Sequence, residues 1–182
     1  MSHENPAPDK PLLYLIGVSH AVQFKSEWAQ MGLGEESERV QATREAFKTH
    51  VAAMINKHNI EVLAEEFSRT AKKKWGVSKT ELEQISNEDK GINHRLCDPE
   101  GDEKEALGIE VDPNKETESD WRKREQFWLS RIVDCKDRRV LFVCGRNHTN
   151  AFEELLESNG FNVQRGQHFP DDSISDREFI SC

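Results

Sequence analysis

Three short apolar runs restrict what this chain can become: "LLYLIG" (12–17), "IEVLAEEF" (60–67) and "RRVLFVCG" (138–145). Runs of this length suit strands buried on both faces, as in a parallel sheet. None approaches the roughly 18 apolar residues that a membrane span needs. Between the runs the period changes. From Glu36 to about His58, the residues Val40, Phe47, Val51, Met54 and Ile55 recur at helical spacing. From Asp120 onward, Trp121, Trp128 and Ile132 form a second helical stripe. Thr80-x-x-Glu83 has the form of a capping box. Asn150-x-x-Glu153 is expected to cap the helix that carries Phe152, Leu155 and Leu156, and Asn159-Gly160 is its expected left-handed stop. "NHRLCDPE" (93–100), halted by Pro99, and "FNVQ" (161–164) read as weaker strands. The alternation predicts an α/β domain with a mostly parallel sheet of about four to five strands and helices on both faces.

At 182 residues the chain is long enough for one core, placed at 11–168. Residues 1–10 read as a loose tail and 169–182 as a polar one. Residues 99–120 are acidic, poor in apolar residues and carry Gly101, Gly108 and Pro113, which reads as a mobile loop or lid. A formal charge of −9 argues against a nucleic-acid partner, because phosphate binding needs a Lys/Arg footprint. The one basic cluster, "KKK" at 72–74, reads as a solvated helix face. "MSHENPAPDK" lacks the basic-then-apolar pattern of a secretory signal, so a cytoplasmic protein with no membrane partner is expected. Cys97, Cys135, Cys144 and Cys182 form no CxxC and read as reduced structural thiols.

Sites in open α/β sheets lie beyond the carboxyl ends of the strands. The first run ends in Gly17-x-x-His20 and the last in Gly145-x-x-His148. The second delivers Glu65 and Glu66, with Arg69 just beyond, and the third delivers Asp98. Imidazoles and carboxylates gathered on one edge suit a divalent metal (Mn, Co, Zn or Fe) that activates water. On this reading His20, Glu65 and His148 are metal ligands, and a spare carboxylate serves as general base. Gly17 and Gly145 would allow turns of positive φ and close ligand approach, and Asn147 lies beside them. His148 precedes a helix start, which favours a neutral, ligating ring. Adjacent strand residues face opposite sides, so one of Glu65 and Glu66 enters the site directly; which one is left open. Arg124 borders the Trp121–Trp128 stripe, where it is either an ion-pair partner of Glu65, Glu66 or Asp98, or a rim residue.

Taken together these motifs resemble the TIKI/TraB superfamily, which spans TraB/PrgY/GumN-like proteins, TIKI metalloproteases, erythromycin esterases and ChaN-like haem-binding proteins. The resemblance covers residues 12–165: Gly-x-x-His on the first strand, Glu-Glu on the second, the "FWLSRI" helix, then strand-Gly-x-x-His-helix ending in "ESNGFNV". It implies metal-assisted hydrolysis centred on His20, Glu65 or Glu66, and His148, with Arg124 beside the site and Gly17 and Gly145 as motif glycines. The expected substrate is a small ester, amide or phosphate-type molecule. The alternatives are a non-catalytic module that binds a cofactor such as haem, and a hydrolase using Cys144. A homodimer is left open.

Overall fold

The computed structural model describes residues 12–23, 38–89, 91–112 and 115–169. The expected tails at 1–10 and 170–182 lie outside the described residues, as does the side chain of His20. The elements in chain order are β1 (Leu12–Val18), α1 (His20–Gln23), α2 (Glu38–His58), β2 (Val62–Glu65), α3 (Arg69–Lys74), α4 (Glu81–Glu88) and β3 (Asn93–Leu96). Then follow α5 (Gly101–Ala106), α6 (Glu118–Ile132), β4 (Val140–Gly145), α7 (Thr149–Ser158) and β5 (Asn162–Arg165). The strands form one sheet in the order β3-β2-β4-β1-β5, and every neighbouring pair is parallel. The expected α/β class is therefore the observed one. No helix among the described residues is long and apolar enough to cross a membrane.

The strand period sorts the core into two layers. Leu13, Leu15, Val62, Ala64, Val140 and Phe142 pack with Trp128, Ile132, Phe152 and Leu156 on the face covered by α6 and α7. Their alternates Tyr14, Ile16, Leu63, Leu141 and Val143 pack with Val40, Phe47, Val51 and Leu82 under α2 and α4. β2 and β4 are buried throughout and β1 from Leu13 onward, which is why their sequences read as continuous apolar runs.

The strand order also locates a crevice. From β1 the chain crosses over β4 to reach β2, whereas from β4 it crosses over β1 to reach β5. The two connections leave adjacent strands in opposite directions, and their carboxyl ends diverge there. Val18 is in register with Gly145 at this edge. Both Gly-x-x-His segments thus start at the switch point.

Local signals explain most element ends. Thr80 and Glu83 complete the capping box of α4, and Thr117 and Asp120 do the same for α6. Gly160 takes φ +89° after α7. The start of α7 differs from expectation: its N-cap is His148, because a 3-10 turn over Arg146–His148 carries β4 directly into the helix. The region read as a loop or lid also differs. Residues 101–106 are helical, Ile109 is buried, and Glu100 accepts hydrogen bonds from the Arg69 and Thr70 amides at the start of α3. Phe169, assigned to the tail, is buried and bridges Val18.

A buried His-carboxylate-arginine site at the carboxyl edge

Position along β2 decides the roles of its two glutamates. Val62 and Ala64 face α6, and so does Glu66; Leu63 faces α4, and so does Glu65. Glu66 follows the strand, and its amide donates to the Val143 carbonyl at 2.8 Å. Its carboxylate accepts from the Gly145 amide at 2.6 Å and from Arg124 Nη2 at 2.6 Å. One side chain therefore ties the ends of β2 and β4 to α6.

Arg124 is the hub. Its Nε donates to Asp98 Oδ1 at 2.8 Å and its Nη1 to Glu116 Oε2 at 3.1 Å. Trp128 Nε1 also donates to Asp98 Oδ1, at 3.0 Å, so the tryptophan stripe anchors the network as well as filling the core. Lys104 of α5 reaches Glu116 at 3.4 Å and Asp98 at 3.8 Å. Burial opposes the guanidinium charge, but the surrounding carboxylates outweigh it and hold the Arg124 pKa above that of an ordinary arginine. The ion-pair reading of Arg124 holds, with Glu66 and Asp98 as its partners.

His148 sits beside this hub. Nδ1 lies 2.8 Å from Glu125 Oε1, and Nε2 lies 3.7 Å from Glu66 Oε1. Glu125 is itself buried and takes Arg122 Nη1 on its other oxygen at 3.1 Å. Trp121 and Trp128 approach the imidazole edge-on, with centroids at 5.4 and 5.0 Å. Burial alone would lower the His148 pKa, but the Glu125 hydrogen bond and the Glu66 charge outweigh it, and the net direction is upward. The helix start alone would hold the His148 pKa down; two carboxylates at short range exceed the partial charge of a helix terminus and move it up instead.

The other expected site residues divide. Asp98 and Glu66 join His148 and Arg124 in one network. Glu65 does not join them, and its assignment as a co-ligand of His148 is corrected. It lies on the opposite face, where it is bonded by Thr80 Oγ1 and lies 2.7 Å from His94 Nε2. Arg69 stays on the surface, bonded to Glu100. Asn147 is exposed. Among the described residues the positive-φ glycines are Gly76, Gly108 and Gly160, so the turn expected at Gly17 and Gly145 is corrected too. Gly145 has φ −58° and contributes its amide to Glu66. Cys144 is fully buried, and burial holds its thiol pKa well above the usual value, which removes it as a nucleophile.

Three members of the network carried no sequence motif. Glu125 had a signal, since it lies three residues before Trp128 on a buried stripe, where a carboxylate needs a partner. Lys104 and Glu116 lay in the acidic stretch read as a loop, and only the folded path of α5 brings them over Asp98.

The side chain of His20, one of the expected metal ligands, lies outside the described residues. Among the described residues no group of three His, Cys, Asp or Glu comes together as a metal-binding set. Both Glu66 oxygens are already engaged, one of them by a guanidinium.

Fold and site together define a doubly wound α/β protein with a histidine-carboxylate pair and a buried arginine hub at its topological switch point. No family model, curated protein or solved structure matches the chain.

Proposed function

We propose that the protein hydrolyses a small ester or amide, with His148 as the general base that activates water. The observation that carries this reading is the Glu125–His148 pair beside Glu66. With Nδ1–H donating to Glu125, the neutral ring presents the Nε2 lone pair. At 3.7 Å, Nε2 and Glu66 Oε1 are too far apart for a good direct hydrogen bond, and in the proposed step both accept from one water molecule that enters between them. In the proposed step Nε2 takes a proton from that water, and the oxygen bonds to the acyl carbon while the carbonyl π pair moves to its oxygen. The intermediate then collapses, expelling the alcohol or amine, which takes the proton from the His148 imidazolium. Glu125 orients the ring and stabilises the imidazolium; Arg124 fixes Glu66.

The carboxylates favour a neutral acyl substrate over a phosphate-type anion, because Glu125 and Glu66 flank the base while Asp98 and Glu116 occupy the neighbouring Arg124. The motif order shared with the TIKI/TraB group supports a hydrolytic reading. Because the described donors do not form a three-ligand centre, no step is assigned to a metal. The test is turnover of a p-nitrophenyl ester series before and after chelation. His148→Gln should lower kcat about 10²–10⁴-fold, and exhaustive chelation should leave the wild-type rate in place. Activity lost on chelation and restored by one added divalent ion would refute the metal-free step.

A further inference from the structure

Beyond β5 the chain continues beside β1. Gly166 N donates to the Leu15 carbonyl at 2.9 Å, Phe169 N to the Gly17 carbonyl at 2.9 Å, and Ser19 N to the Phe169 carbonyl at 2.8 Å. Phe169 pairs with Val18, and both side chains belong to the layer under α2. Strand alternation therefore puts His168 and Gly17 on the other face, the face of α7 and His148. His168 lies directly over Gly17. A Cβ built at Gly17 would come within 2.8 Å of His168 Cε1 and within 2.8 Å of Thr149 Cγ2, the residue that follows His148. Gly17 is thus needed for space rather than for a left-handed turn: it makes room for a second imidazole at the switch point.

His168 Nδ1 is buried and meets no hydrogen-bond partner. A buried N–H left unpaired costs about 1–3 kcal/mol, whereas a bare lone pair is tolerated better. The favoured neutral tautomer therefore leaves Nδ1 unprotonated and places the proton on Nε2.

We propose that His168 is a further catalytic residue, donating its Nε2–H to the acyl oxygen of the substrate as that oxygen gains negative charge. The assignment rests on the hydrolytic reading above and supplies what that reading lacks, a donor for the oxyanion. His148 moves the proton, and His168 holds the charge that results.

The test compares His168→Leu, which removes the donor, with His168→Gln, which keeps one, using p-nitrophenyl acetate. Expected is a 10²–10³-fold fall in kcat for H168L, partial recovery in H168Q, and unfolding midpoints equal to wild type. Wild-type kcat in H168L, with H148Q inactive, overturns the role of His168 and leaves the hydrolase reading standing. If the wild type does not turn over the ester, the ring ¹⁵N resonances of His168 are followed during titration with acetate, the acyl product. A shift of the His168 signals, absent in H168L, keeps the ligand contact while the hydrolase reading fails. Unmoved signals overturn the contact.

Discussion

Glu65 and Glu66 are neighbours in the chain with opposite surroundings. Glu66 shares its face with a guanidinium, a backbone amide and an imidazole, and both its oxygens are engaged. Glu65 is fully buried on the other face. Thr80 and His94 both meet its Oε1, while Oε2 has no partner. The difference follows from what packs over each face. The α6 helix brings a fixed cation to Glu66. The α4 helix brings a hydroxyl to Glu65, and the edge strand β3 brings a histidine. The guanidinium beside Glu66 keeps its charge at any pH near neutrality. Only the Glu66 arrangement sets a carboxylate beside the water-activating base.

The largest effect that would break this contrast is on stability. Arg124→Ala leaves Glu66, Asp98 and Glu116 buried without their shared cation, and should cost about 3–5 kcal/mol in urea unfolding. His94→Ala on the Glu65 side removes one hydrogen-bond partner and should cost about 1–3 kcal/mol. Equal losses in the two variants would mean that the two faces are held with equal strength and that the hub has no special weight.

Next comes turnover. Glu66→Gln keeps the shape but removes the charge next to Nε2, whereas Glu65→Gln acts through the sheet from the opposite face. The Glu66 variant should lose at least about tenfold more kcat than the Glu65 variant, a difference of about 1.4 kcal/mol in barrier. A larger loss for Glu65→Gln would relocate the site to the α4 face, near Thr80 and His94.

The sheet was readable because the apolar runs of β1, β2 and β4 report burial on both faces, and burial on both faces is what a parallel sheet requires. The edge carrying the site followed from topology, so His20, His148, Asp98, Arg69 and the Glu65-Glu66 pair could be placed on it before their distances were known, with Arg124 as either an ion-pair partner or a rim residue. The face of each glutamate could not be. A one-residue difference in where β2 ends exchanges Glu65 and Glu66, and residue type carries no record of that register. The direction of the His148 pKa shift was hidden for a related reason: its helix start is visible in sequence, but Glu125 reaches it across 23 positions. His168 was hidden more deeply. It follows the last strand in a polar stretch, and only its return alongside β1 sets it over Gly17.

The smallest expected effect, and the one that tests the electrostatics directly, is the pH profile. The His148 pKa is raised in the folded protein by Glu125 and Glu66 against the opposing effect of burial. A general base must be neutral, so kcat/KM should rise with pH and level off above an inflection higher than the ordinary histidine value of about 6.5. The stability term runs the other way. A raised folded pKa contributes stability that is fully present below about 6.5 and is lost as pH climbs through the folded value. The protein should therefore become more active and slightly less stable over the same interval, and His148→Gln should flatten that part of the stability curve. Glu66→Gln removes one of the charges that raise the pKa, so it should move the inflection down. Glu65→Gln, acting from the far face, should leave it in place. An inflection that moves equally in both variants would show that His148 responds to the total charge of the edge rather than to Glu66 in particular.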